Sequence, residues 1–93
     1  MARKKASSLK VADYRATLVV FGRKFVGVGD SVREAIAAIE PGNVRGKGVL
    51  VVERGDAKQE RILPPAIVFR TFGPAKGLTR EISLKQIAQR FAV

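Results

Sequence analysis

The sequence predicts an α+β fold: an antiparallel β-sheet of four or five strands with two helices on one face, in the order ββαββ(β)α. Three observations predict it. Two stretches rich in β-branched residues are each broken by a glycine turn, YRATLVVF-GRK-FVGVG and VLVVE-RGDAK-QERIL. Such pairs are hairpins, and turns this short force antiparallel pairing. Two further segments, SVREAIAAIE and SLKQIAQRF, repeat their apolar residues at the 3.6-residue period of a helix. Helices that follow hairpins pack on one face of the sheet they close.

The first hairpin allows two registers. A two-residue turn at Gly22-Arg23 sets Val20 opposite Phe25, with Tyr14, Ala16, Leu18, Val20 and Phe25 on one face. Arg15, Thr17, Val19, Phe21, Lys24, Val26 and Val28 then share the other face. A three-residue turn pairs Phe21 with Phe25 and sends both rings to the face of Arg15.

The first helix is expected over Ser31–Glu40. Ser31 and Glu34 make a capping box, Val32, Ala35, Ile36 and Ile39 form the buried stripe, and Pro41-Gly42 ends the run. The next stretch, PGNVRGKG, is a glycine-rich connection that carries Arg45 and Lys47. It lacks the spacing of a nucleotide-binding P-loop. In the second hairpin Gly55-Asp56 suits a tight turn, so Arg54-Gly55-Asp56 is explained by turn chemistry and not by integrin binding.

Pro64-Pro65 removes two successive backbone donors, and AIVFRTF (66–72) is expected as a bent or broken strand, with Ile67 and Phe69 on one side. The last helix is expected to start at Ser83, capped with Gln86 and stapled by Ile82 onto Ile87. Its stripe is Leu84, Ile87, Ala88 and Phe91. The motif Ser-Leu-Lys-x-Ile-Ala-x-x-Phe is similar to the first helix of a DNA-reading helix-turn-helix. A recognition helix after a short turn is absent from the sequence, so a capped amphipathic helix on a sheet is the expectation.

The segment FVGVGDSVREAIAAI (25–39) resembles the closing strand and helix of a double-stranded-RNA-binding domain, and also small sheet-and-helix antitoxins. That RNA-binding domain begins with a helix and has a lysine-rich pair at the later helix start. Here two strands come first and Ser31-Val32-Arg33 occupies the helix start. The resemblance is therefore one of strand-into-helix form and implies no membership.

At 93 residues the chain is expected as a basic flexible arm, residues 1–11, and a single α+β domain, residues 12–93. There is no cysteine and no histidine, which rules out disulfides, thiolate chemistry and imidazole acid–base catalysis. The eight acids are scattered among caps, turns and basic neighbours, and Asp13, Asp30 and Glu81 are not spaced as metal ligands. No catalytic residue, metal or cofactor is expected, and the chain is expected not to be an enzyme. No apolar run approaches the ~20 residues of a membrane span, and the basic start MARKKASSLK is unlike a secretory signal. The expected location is the cytoplasm.

Charge points to the partner. Eighteen Lys and Arg against eight Asp and Glu give a net charge of +10. A surplus of that size draws polyanions by its long-range field. The expected function is a small basic nucleic-acid-binding protein, for DNA or RNA, that contacts the phosphate backbone with little sequence specificity. The expected contacts are Arg3, Lys4, Lys5 and Lys10 of the arm, Arg15, Arg23 and Lys24 of the hairpin, and Arg45 and Lys47 of the loop. Phe21 and Phe25 are the stacking candidates. The alternative is a protein-interaction or assembly module, either a homodimer or a phage- or ribosome-associated structural protein, that docks through Val19, Val26 and Val28.

Overall fold

The structure, a computed structural model, describes residues 13–40, 44, 46–73 and 77–93. The strands are β1 (Tyr14–Val20), β2 (Arg23–Gly29), β3 (Gly48–Arg54) and β4 (Ala57–Leu63). The helices are α1 (Val32–Ala37), α2 (Pro65–Phe72) and α3 (Leu78–Ala88). The strands form one antiparallel sheet in the order β2-β1-β3-β4, so the α+β class and both hairpins stand as expected.

The β1–β2 turn is two residues long but lies one position earlier than expected. It is made by Phe21 and Gly22, and it pairs Val20 with Arg23 and Leu18 with Phe25. Both turn residues have positive φ, 51° and 77°. Two positive values are what a type I′ turn requires, and that turn's twist matches the strands it joins. Relative to the Gly22-Arg23 reading the pairing moves by two residues, an even step, so the division of faces survives. Phe21 leaves the face of Arg15 for the tip of the hairpin, and Arg23 leaves the turn for the strand, opposite Val20.

The inner face buries Ala16, Leu18 and Val20 of β1 with Leu50 and Val52 of β3. These form one core with Ile36 and Ile39 from α1 and its exit, Val68 and Phe72 of α2, and Leu84 and Ile87 of α3. Helix α1 lies close against β2 because that strand has hydrogen in place of side chains there. A Cβ added at Gly27 would stand 2.4 Å from the Ala35 carbonyl oxygen, and one at Gly29 would stand 2.7 Å from Glu34 Cβ. Ser31 caps α1 as expected, its Oγ accepting from the Glu34 amide at 3.1 Å. The return contact differs: Glu34 Oε1 accepts from the Asp30 amide at 3.2 Å, one residue before the cap. The helix also closes early, at Ala37, so the expected end at Glu40 is too late.

Two elements correct the sequence reading. AIVFRTF is no strand but most of α2. Pro64 and Pro65 stand at its N-cap and first turn, where missing N–H groups cost nothing, and Val68, Thr71 and Phe72 are buried at helical spacing. A short β-branched run fits both periods, and burial against the core decided it. The second correction concerns Ser83, which is no cap. It lies buried inside α3, which begins five residues earlier after Gly77, and the Ser83–Gln86 box does not form. The stripe does form, with Leu84, Ile87 and Phe91 buried and Ala88 half-buried, so the helix-turn-helix-like residues are used as core.

Arg80 explains the early start of α3. Its Nε donates to the Thr71 carbonyl at 3.0 Å and its Nη2 to the Ala37 carbonyl at 2.9 Å. One guanidinium therefore satisfies carbonyls in the last turns of two helices, where positive charge also suits the helix dipoles. Arg33 and Glu81 add an exposed ion pair between α1 and α3.

Thr71 itself is wholly buried and its Oγ1 has no hydrogen-bond partner among the described residues. An unpaired buried hydroxyl costs about 1–3 kcal/mol, and an isosteric methyl removes that cost. Thr71→Val is expected to raise stability by about 1 kcal/mol in a thermal melt. A lower melting point would mean that the hydroxyl has a partner.

Candidate nucleic-acid interface

The paired registers set charge along the sheet. Its two rows nearest the Phe21-Gly22 turn are Arg23–Val20–Gly48–Leu63 and Lys24–Val19–Val49–Ile62. Both contain a cation and neither contains an acid. Lys47, exposed, immediately precedes β3 at this same end. Acids gather at the other end. Glu53 and the turn residue Asp56 are there, and Asp13 and Asp30 flank the Tyr14–Gly29 pair. Glu34 joins them through its contact with the Asp30 amide.

Arg23, Lys24 and Lys47 thus share one end of the sheet, Arg23 on the helix-covered face and Lys24 on the open face, whereas Arg15 lies toward the other end. Arg15 stands on the open face between Val28 and Glu53, four rows from Lys24. At ~3.3 Å per residue that is about 13 Å, and its neighbour is a carboxylate. Arg3, Lys4, Lys5, Lys10 and Arg45 lie outside the described residues.

The two stacking candidates part company. Phe25 is on the helix-covered face, half-buried against the core, with the Arg23 guanidinium 5.2 Å from its ring centroid. Arg23 thus covers one face of this ring, which makes Phe25 the less available of the two stacking candidates. Tyr14 and Phe91 are likewise covered, by Arg54 at 5.1 Å and Arg61 at 5.6 Å. Among the described residues no cation covers Phe21, which is 83% exposed.

Phe21 is costly where it is. A positive φ strains any L-residue by roughly 1–2 kcal/mol, and a bulky side chain has no local hydrogen bond to offset this as Asn does. Exposure then forgoes the ring's burial. An outlier that is strained and apolar at once, on a protruding turn, points to a contact made with something else.

Beside Phe21 is an open cleft of about 440 Å³ lined by Gly46, Pro65, Ala66 and Phe69. Gly46 has a φ of 110°, and the edge of the Phe21 ring leans on it: an added Cβ would stand 2.6 Å from Phe21 Cε2. Phe69 is 40% exposed. The strand reading of AIVFRTF concealed this wall, because 65, 66 and 69 share a side only in a helix. The Pro-Pro pair at a helix start was the signal that could have found it.

The sheet's outer face is uncovered by the described elements. Val26, Val28 and Ile62 are more than half exposed there, with Val19, Val49 and Val51 half-buried between them. Among the described residues no group of three acids gathers as a metal site, and no helix is long and apolar enough to cross a membrane. The chain matches no family model, no curated protein and no solved structure.

Proposed function

We propose that this chain is a small basic nucleic-acid-binding protein that works by binding and not by catalysis, through the end of the sheet that carries Phe21, Arg23, Lys24 and Lys47. The observation that carries the reading is Phe21, strained and exposed at the end of the sheet whose last two rows contain cations and no acid. Lysine and arginine bind phosphates by releasing counterions, which gives affinity with little choice of sequence.

Titration of single-stranded and duplex DNA and RNA across salt tests this. Affinity is expected to fall as salt rises, with a log–log slope of about −0.7 per phosphate contacted on a single strand. Lys24→Gln with Lys47→Gln, both at exposed sites, is expected to shrink that slope by about 1.4. Affinity indifferent to salt defeats the reading.

The exposed valines and Ile62 favour a second reading, assembly of two copies through the outer sheet face. Sedimentation at rising concentration decides it: a coefficient that stays at the monomer value removes this reading.

A further inference from the structure

The geometry points to an unpaired nucleobase as the occupant of the cleft beside Phe21, with a flanking phosphate on Lys47, the neighbour of Gly46. This rests on the reading that the basic end binds nucleic acid, and it narrows the partner to single strands. Three features carry it. The cleft is apolar, open, and lies beside the exposed Phe21 ring. Its wall contains Phe69, a second partly exposed ring. Lys47, exposed next to Gly46 of the cleft wall, stands at the end of the sheet whose two last rows contain cations and no acid, so the charge favours an anionic chain over a neutral peptide.

The chemistry of the wall also fixes what is read. Pro65 has no backbone N–H, and Gly46, Ala66 and Phe69 have no polar side-chain group. Such a wall stacks a base without reading its edge, because every base has a π-face and few donors or acceptors meet it. In a duplex the bases are stacked on one another and cannot enter. Single strands of any sequence are therefore preferred over duplexes.

The test compares three probes of one length at fixed low salt: oligothymidylate, the same phosphodiester chain without bases, and a duplex. Oligothymidylate is expected to bind on the order of tenfold tighter than either of the others, the usual effect of one stacked base. Phe69→Leu keeps apolar bulk at a partly exposed site but removes the ring, and it is expected to bring the thymidylate-to-abasic ratio close to one while the abasic affinity holds. Equal binding of thymidylate and abasic chain overturns base capture and leaves phosphate binding standing. A duplex bound as tightly as thymidylate also overturns it. If none of the three probes binds, both readings fail together. A thermal melt of Phe69→Leu checks folding, and Phe21→Leu, at a site 83% exposed, supplies an independent loss of ring.

Discussion

Replacing Arg80 by Met is expected to cost about 3 kcal/mol of stability, because the guanidinium bonds two helix ends at once. Its two partners, the Thr71 and Ala37 carbonyls, lie in the last turns of α2 and α1. Hydrogen bonds from a charged donor are worth about 1.5–3 kcal/mol each, and two made by one group are not fully additive. Met keeps most of the aliphatic stem, so the loss reports the head group. For a chain of this size each kcal/mol moves the melting point by roughly 4–8 °C. The control is Arg33→Gln. Arg33 is paired with Glu81, but both side chains are about half exposed, 46% and 52%, and an exposed pair is worth about 0–1 kcal/mol. Similar losses for the two variants would refute the capping role of Arg80.

Phe21→Asn is expected to move stability and binding in opposite directions. Asn tolerates a φ of +51°, and Asn-Gly is the favoured pair for a type I′ turn. Relief of the strain should add about 1 kcal/mol, since a ring that is 83% exposed forfeits little packing when removed. The same variant is expected to bind single-stranded oligonucleotide on the order of tenfold more weakly. Circular dichroism on heating and fluorescence anisotropy give the two readouts. A variant that melts lower would show that Phe21 supports the fold; one that binds as before would show that it does not touch the ligand.

The parts of this fold legible in the sequence are those in which one local signal meets no rival. Gly55-Asp56 makes the turn that it suits, and Ser31 caps α1 through its own hydroxyl. Val32-Ala35-Ile36-Ile39 has only a helical period to satisfy. The illegible parts are those in which two local signals compete and a distant contact chooses. Ser83 has a capping partner at Gln86, yet the helix begins at Leu78, and Arg80 in its first turn reaches Ala37, 43 positions away in sequence. AIVFRTF fits a strand as well as a helix until Val68 and Phe72 are placed in the core.

The candidate site divides in the same way. Its cations and Phe21 stand out from composition and from the hairpin. That Arg15 faces Glu53 depends on the β1–β3 register, which no short turn sets, and that Arg23 covers Phe25 depends on a turn one position earlier than Gly22-Arg23. The cleft was invisible, because two of its residues, Ala66 and Phe69, belong to the segment read as a strand and Pro65 adjoins it.

The hydrogen-only surface at Gly27 and Gly29 has a consequence for assembly of the chain. Helix α1 can settle at one height along β2 and nowhere else. One pleat nearer the turn it would land on Phe25, and the bulk of that ring would hold it off. A nascent hairpin paired at the wrong offset would present Ile36 and Ile39 away from their seats, and docking of the helix would fail. Two absent side chains thus set the seat of α1 on β2, and a Cβ at either position would have to displace the helix backbone.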